Sequence, residues 1–180
     1  MTTAPLTRTH IPTLKPLGDA TPHVARILEV MAHIRLFEDF DVKELARLAG
    51  YMVCYRAPAG TEIIREGDAG DFMLLLLDGG VEIVKRDSGG LPVRIGEAGP
   101  GKTLGEMSLV DGEPRFASCV TTEESLFAVL DRESLTRLLA EEAQLGIKIL
   151  IELVMLLNQR LRNVSARLMR SLEDIRLRRF

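Results

Sequence analysis

The spacing of apolar residues divides the chain into a helical start, a middle of short strands and a long helical end. From His23 the apolar residues recur at three- and four-residue steps, which predicts an amphipathic helix as far as Leu36. Asp41 is suited to cap a second helix, whose apolar residues end near Gly50. Ahead of both helices, residues 1–22 carry four prolines and several threonines, and they predict a flexible lead with no core of its own.

Between Tyr51 and Asp131 the pattern changes to short apolar stretches separated by glycine turns. This spacing is typical of an antiparallel β-barrel or sandwich. The predicted strands are residues 51–57, 61–65, 72–77, 81–86, 92–97, 117–121 and 125–131. The predicted fold class is α+β: a jelly-roll-like antiparallel β-barrel of about eight strands, with N-terminal helices and a long C-terminal helix.

The helical period returns after Asp131 and, beyond a break near Glu141 and Glu142, runs without proline over residues 143–179. One helix of that length would measure about 55 Å against a globule diameter of roughly 40 Å, so part of it must project or contact a partner. Its apolar residues have the four-three spacing of a two-stranded coiled-coil seam, with Ser171 as the weak member. The seam residues are Leu150, Val154, Leu157, Leu161, Val164, Leu168 and Ile175.

Two interpretations of this apolar stripe are open: it packs on the barrel of its own chain, or it pairs with the same stripe of a second copy. Its first half is expected to lie on the barrel of the same chain. For residues 157–175 we prefer a symmetric dimer, because the repeat continues for so long. The chain is thus divided into a lead (1–22), a barrel domain with its helices (23–142) and a dimerisation helix (143–180).

Composition narrows the partners. With 23 basic and 26 acidic residues the net charge is −3, which implies no general attraction to nucleic acid or to an anionic membrane. The seven arginines of residues 160–180 are interpreted as a solvated helix face, so direct contact with nucleic acid is not expected. The sequence has no apolar run long enough for a spanning helix, and its first residues lack the apolar centre of a signal peptide. We therefore expect a cytoplasmic protein without membrane contact.

The residues that most often carry catalysis are poorly placed for it. Cys54 and Cys119 stand among apolar or small residues and are interpreted as core fillers rather than a disulfide or metal pair. The histidines His10, His23 and His33 have no metal-ligand spacing, and neither cysteine has a histidine near it in sequence. The sequence predicts a protein that is not an enzyme and that holds no metal.

The strongest chemical signal is the stretch T-L-G-E-M-S-L-V-D-G-E-P-R-F-A-S, residues 103–118. Gly105 permits a tight backbone approach, and residues 106–110 suffice for about one helical turn. The N–H groups at the start of a helix attract anions, and Arg115 adds a permanently charged, planar donor. A buried carboxylate at Glu106 fits such a site only if the ligand also offers a hydroxyl, as a ribose phosphate does. The other interpretation is a surface turn in which Glu106 is favoured by the N-terminus of the helix and Arg115 is solvated.

The same stretch resembles the phosphate-binding cassette of the cyclic nucleotide-binding domain family, known from catabolite activator proteins and protein kinase A regulatory subunits. The family pattern G-E-hydrophobic-small-L, a short loop and P-R-x-A-S/T matches residues 105–109 and 114–118. Residues 59–68 and 72–83 resemble the glycine-marked turns of the family's barrel. We call residues 103–118 the cassette. The resemblance implies a regulatory module that binds a cyclic nucleotide.

The resemblance also implies a role for each residue of the cassette. Arg115 would pair with the cyclic phosphate, Glu106 would accept the ribose 2′-hydroxyl, and N–H groups around Ser108 and Phe116 would complete the phosphate cradle. The implied ligand-binding residues are Gly105, Glu106, Met107, Ser108, Arg115, Phe116 and Ala117. On the long helix, Asn163 and Ser165 are candidates for contact with adenine, or else ordinary polar positions beside the seam.

The identity of the ligand's base is inferred from one departure from the family pattern, at residue 116. Family members that prefer cGMP often have threonine after the cassette arginine, whereas this chain has Phe116, so cAMP is the expected ligand and cGMP the less favoured one. The usual residue there is small. The ring of Phe116 either stacks near the purine or narrows the pocket.

The implied mechanism is a binding switch: ligand in the cassette moves the hinge between barrel and long helix, and the dimer passes the change to an unidentified protein. In bacterial transcription regulators of this family a helix-turn-helix domain follows the long helix, whereas this sequence ends at Phe180, so we expect a stand-alone module. Two alternatives are open. One is a degenerate fold that dimerises as a scaffold, and the other is the sensor part of a regulator that lacks its DNA-binding domain.

Overall fold

The computed structural model describes residues 14, 16–31 and 40–177, which form two antiparallel sheets and five α-helices. The helices are α1 (Val24–Met31), α2 (Val42–Ala49), α3 (Glu106–Asp111), α4 (Arg132–Glu141) and α5 (Ala143–Leu177). The strands are β1 (Pro16–Asp19), β2 (Val53–Ala57), β3 (Glu62–Ile64), β4 (Phe72–Asp78), β5 (Val81–Arg86), β6 (Pro92–Ala98), β7 (Thr103–Leu104), β8 (Ser118–Thr121) and β9 (Ser125–Asp131).

The sheets form one layer each. One has the strand order β1-β2-β9-β4-β7 and the other β3-β8-β5-β6. Side chains from both sheets, among them Leu74, Val81 and Phe127, make the core between them. Alternate residues of β4 and β9, such as Leu75 and Ala128, pack instead against the helices. The central strands are therefore buried on both faces, which explains the unbroken apolar run in β4.

Each of the seven strands predicted from the sequence is present, with ends shifted by a few residues at most. The predicted jelly-roll-like barrel of about eight strands is confirmed in part: the described residues form nine strands in two antiparallel sheets, and the barrel is not closed. The unpredicted strands are β1 and β7. The second of these has two residues, which is too short to produce an alternating pattern.

Strand β1 corrects the prediction of a flexible lead that extends to residue 22. Its residues pair with β2, and the N–H of Ala20 donates to the carbonyls of Ala49 and Met52. All four β1 residues are exposed, so backbone hydrogen bonds hold a segment that has no apolar pattern. Residues 1–13 lie outside the described part, as do residues 32–39, on which the predicted end of the first helix falls.

Helix α2 begins where the sequence predicted. The Asp41 carboxylate accepts from the N–H of Glu44, and the Glu44 carboxylate accepts from the N–H of Asp41, which is a reciprocal cap. The ammonium of Lys148 on α5 also donates to both oxygens of Glu44, at 2.7 and 2.8 Å. The start of α5 is thereby tied to α2.

Helix α5 is continuous for 35 residues, as predicted, and about 52 Å long. Its first turns bury Leu145, Ile149 and Leu153 in the core. From Leu161 to Arg176 every side chain is exposed. The predicted seam lies on a different stripe from the buried one, since Val154, Leu161, Val164, Leu168 and Ile175 are all more than half exposed.

Candidate functional site

A cavity of about 100 Å³ lies between the cassette, the four-stranded sheet and α5. Seven of the nine ligand-binding residues expected from the sequence line it together: Gly105, Glu106, Met107, Ser108, Arg115, Phe116 and Ala117. The remaining lining comes from apolar side chains of β3, β5 and β7, from Cys119 and from Arg160 of α5. The cavity is therefore apolar at its back and charged along one wall.

Two glycines shape the wall that the cassette forms. Gly105 precedes α3 with φ of +79°, and Gly112 ends the helix with φ of +77°, a left-handed conformation that favours glycine. A methyl group at Gly105 would also lie 2.6 Å from the guanidinium of Arg115 and 3.0 Å from the carbonyl of Phe72. Gly105 is required both by its own backbone angle and by the close approach of Arg115.

Arg115 is buried, with 4% of its surface exposed. Its Nη1 donates to the carbonyls of Phe72 and Gly105 at 2.8 and 2.9 Å, and its guanidinium lies 4.2 Å above the ring of Phe72. The other terminal nitrogen, Nη2, is buried and has no hydrogen-bond partner within the described residues. Burial lowers the pKa of Arg115, and the nearby Asp71 carboxylate opposes this change.

Glu106, 1% exposed, is the complementary group. Its Oε1 accepts from Nη1 of Arg160, whose Nη2 also donates to the carbonyl of Thr103 at 2.6 Å. Its Oε2 is buried and finds no hydrogen-bond partner in the part of the chain that the structure describes. Arg115 and Glu106 both line the cavity, and each has a buried polar atom, a donor on Arg115 and an acceptor on Glu106, that would cost free energy if left unpaired.

Arg160 and Arg132 contact the cassette and were not predicted from the sequence. Nη2 of Arg132, at the start of α4, donates to the carbonyls of Ser108 and Leu109 at 2.7 and 2.9 Å, so it caps the end of α3. Arg160 was interpreted as one of seven solvated arginines. Nothing in the sequence separates it from its neighbours, because only the packing of α5 directs it toward the cassette.

Asn163 and Ser165 do not line the cavity. Both are exposed on α5, and the Asn163 carboxamide oxygen accepts from Nε2 of Gln159 at 3.1 Å. The structure thus does not bring the two predicted adenine contacts to the cavity of their own chain. The residue of α5 that reaches it is Arg160, one turn earlier.

Cys54 and Cys119 are free thiols buried in the core, as the sequence predicted. Burial raises the pKa of Cys54 to about 11 and that of Cys119 to about 12, because a thiolate is poorly solvated there. Among the residues that the structure describes, no three His, Cys, Asp or Glu side chains are grouped so as to hold a metal ion. In the same residues no helix is long and apolar enough to cross a membrane.

A sequence model of the cyclic nucleotide-binding domain matches residues 55–142. The cAMP-dependent protein kinase regulatory subunit of Blastocladiella emersonii is 28% identical over 117 residues, which cover 65% of this chain and 29% of that protein. The CRP-like cAMP-activated global transcriptional regulator of Mycobacterium tuberculosis is 26% identical over 122 residues, 68% of this chain and 54% of the regulator. The chain thus spans about half or less of the length of these relatives, which are named as regulatory proteins.

Two solved structures are similar over more of the chain. A cyclic nucleotide-binding domain from Methylobacillus flagellatus KT is 41% identical, with a TM-score of 0.81 and coverage of 90% of this chain and 91% of that one. The catabolite activator protein of Thermus thermophilus is 31% identical, with a TM-score of 0.67 and coverage of 74% of this chain and 61% of that one. The first likeness includes most of both chains and combines high identity with the same fold.

Proposed function

The chain belongs to the cyclic nucleotide-binding domain family, and we propose that it is a regulatory module that binds cAMP and passes the binding signal to a partner protein through α5. The proposal includes no enzymatic step. It rests on the chemistry of the cassette wall and on the contact between that wall and α5.

The pairing of one buried donor with one buried acceptor carries this proposal. Nη2 of Arg115 requires an acceptor, and Oε2 of Glu106 requires a donor. A cyclic nucleotide offers both, since its phosphate is an anionic acceptor and its ribose 2′-hydroxyl is a donor. A phosphate ester without a free hydroxyl would pair with Arg115 and leave Oε2 of Glu106 buried without a donor.

The same carboxylate gives the route of the signal. Because Arg160 of α5 occupies Oε1 of Glu106, a ligand hydroxyl on Oε2 would share that carboxylate with the helix. Any ligand-induced change in the position or charge distribution of Glu106 therefore alters a contact of α5. A ligand shifts such an equilibrium only through different affinities for two helix positions, and this contact supplies a physical source for the difference.

The exposed stripe of α5 is proposed to pair with the same stripe of a second copy. In heptad terms its a positions are Ile147, Val154, Leu161, Leu168 and Ile175, and its d positions are Leu150, Leu157, Val164 and Ser171. β-Branched residues at a with leucine at d favour two-stranded parallel coiled coils, and three of the five a positions and two of the four d positions fit this rule. Leu168→Glu is expected to convert the dimer to a monomer in sedimentation analysis, whereas Arg170→Glu on the same helix is not. A monomeric unmodified protein at high concentration would contradict the proposal.

The choice of cAMP over cGMP has two supports. The relatives named above are described as dependent on cAMP or activated by it. Phe116 lines the cavity where a threonine hydroxyl would be needed to pair with guanine. The phenyl ring offers guanine no hydrogen bond in place of that hydroxyl, so cGMP gains no polar contact over cAMP at this position.

Calorimetric titration with cAMP, cGMP and cyclic di-GMP tests the function. We expect cAMP to bind with micromolar or lower Kd, about −8 kcal/mol or better. Arg115→Ala should weaken binding by about 2–5 kcal/mol because the phosphate charge would lose its buried partner. Arg56→Ala, which removes an exposed arginine on the other sheet, is the matched control and should leave Kd unchanged.

Two results would overturn the assignment. Equal affinity of Arg115→Ala and the unmodified protein would exclude the proposed phosphate site. If the folded dimer released no heat with any of the three ligands, the chain would be a scaffold that retains the fold without the ligand. A 2′-deoxy analogue of cAMP should bind more weakly by about 1–3 kcal/mol, since it leaves Oε2 of Glu106 without a donor.

A further inference from the structure

The mouth of the cavity carries an exposed aromatic ring. Phe116 follows the cassette arginine directly and lines the cavity, yet 54% of its surface is accessible to solvent. The ring is therefore not enclosed in the core, and part of its surface is open to a ligand. Pockets that bury an entire small ligand usually have volumes of about 300–1,000 Å³, several times that of this cavity. The enclosed part has room for the charged end of a nucleotide, and its base would lie at the mouth, beside the ring.

Lys85 on β5 holds this ring in place. Its ammonium lies 4.2 Å from the ring centroid of Phe116 and donates to the carbonyl of the same residue at 2.7 Å. The ammonium also donates to Oε1 of Glu66 at 2.9 Å, while Oε2 of Glu66 accepts from the N–H of Arg86 at 2.9 Å. One lysine thus fixes both the ring and the peptide group of Phe116, and its own position is fixed by a carboxylate bound to the next residue of the same strand.

We propose that Phe116 and Lys85 form a shelf on which the nucleobase of the ligand stacks. This proposal rests on the proposed function, because it assumes a cyclic nucleotide in the cassette. The cation covers one face of the ring, which leaves the opposite face for a base. Aromatic side chains stack on nucleobases generally, because every base has a π-face, and larger bases offer more overlap. The ring contacts the ligand, whereas Lys85 is a positioning residue that acts through the ring and its carbonyl.

A ring that stacks on the base and a ring that only narrows the cavity mouth lead to different predictions. If the ring stacks on the base, removing the ring weakens the binding of nucleotides in proportion to the stacking area of their bases. If the ring only narrows the mouth, its removal leaves affinity unchanged or improves it. A ligand without a base separates both cases from a general loss of structure, because the charged end of the site is the same for all ligands.

The experiment measures Kd for cAMP, for 3′,5′-cyclic CMP and for a base-free ribose 3′,5′-cyclic phosphate. Phe116→Ala should weaken cAMP about tenfold, cyclic CMP less, and the base-free phosphate not at all. Phe116→Tyr should retain the affinity of the unmodified protein. Leu91→Ala, which truncates an exposed apolar residue at the tip of the β5–β6 hairpin, is the matched control and should change none of the three.

The lysine is tested by rescue. Lys85→Met keeps the aliphatic stem and removes the cation, and it should weaken cAMP about threefold to fivefold, since cation–π contacts at partly exposed sites contribute modestly. Lys85→Arg restores a cation above the ring and should recover most of that loss. Lys43→Met removes an exposed lysine of α2 and controls for net charge.

Each outcome is decisive. Unchanged or tighter cAMP binding by Phe116→Ala overturns the shelf, as does an equal loss for the base-free phosphate. The Arg115→Ala variant should lose all three ligands, the base-free one included. If the unmodified protein binds none of them, the proposed function itself has failed, and the shelf fails with it.

Discussion

The contact between Arg160 and Glu106 provides the most direct test of how α5 is coupled to the cassette. Arg160→Met removes the guanidinium and retains most of the aliphatic stem. It leaves the Glu106 carboxylate, 1% exposed, with neither of its oxygens paired to a residue of the described chain. We expect the free energy of unfolding to fall.

The magnitude lies between two limits. Breaking a fully buried ion pair costs about 3–5 kcal/mol, whereas an exposed pair contributes about 0–1 kcal/mol. The carboxylate here is buried, but the arginine side chain is 39% exposed, so solvent screens part of the interaction. An intermediate loss of about 2 kcal/mol follows, which corresponds to a decrease in Tm of about 4–8 °C for a chain of this size.

Urea unfolding of four proteins measures the pair itself: the unmodified chain, Arg160→Met, Glu106→Gln and the double variant. The interaction energy from this cycle should be about 1–2 kcal/mol, since the arginine also donates to Thr103 and that bond is lost in both backgrounds. Arg167→Met, on an exposed turn of the same helix, is the control and should have almost no effect. Additive single effects, or equal losses for Arg160→Met and Arg167→Met, would refute the reasoning.

Three further predictions concern two glycines and the two buried cysteines. Gly70→Ala would place a methyl group 2.0 Å from Nε of Arg115, so we expect cAMP affinity to fall at least about tenfold while the protein remains folded; unchanged titration heats would contradict this. Gly146→Ala would place a methyl group 2.7 Å from the side chain of Leu139 on α4 and 3.0 Å from its backbone. We expect urea unfolding to show a loss of about 1–3 kcal/mol in the free energy of unfolding. Unaltered stability would mean that the two helices separate at no cost. Burial raises the pKa of Cys54 to about 11 and of Cys119 to about 12, from an ordinary value of 9.0. Above pH 9 the unfolded chain therefore loses thiol protons that the folded chain keeps. The free energy of unfolding should decrease as pH rises from 9 to 11, by up to about 1.4 kcal/mol per pH unit for each thiol. A variant with alanine at both cysteines should lack this slope, and an identical slope would show that other groups cause it.

The sequence was most informative where a local pattern has one structural solution. The reciprocal cap of α2, the glycine-bounded helix α3 and the seven strands could be predicted because caps, turns and alternation are written in neighbouring residues. The cassette residues could be placed together for the same reason, since all seven fall within thirteen consecutive positions, 105–117.

What the sequence could not predict depends on contacts between distant segments. Strand β1 is held by backbone bonds to β2 and shows no apolar signal. The glycine-turn spacing predicts a barrel or a sandwich, and it does not determine how the strands pair. Arg160 and Lys85 are ordinary exposed-type residues until folding places one beside Glu106 and the other above Phe116.

Because its first turns are buried and its far end is exposed, α5 can act as a lever. Lys148 holds the base of the helix to α2, and Arg160 touches the cassette about 18 Å farther along, while Ile175 lies about 40 Å from the base at 1.5 Å per residue. If the rigid helix tilts about its base, a displacement at Arg160 is more than doubled at Ile175. A shift of one ångström at the ligand would then move the far end by more than two, which would alter the packing of the proposed helix pair.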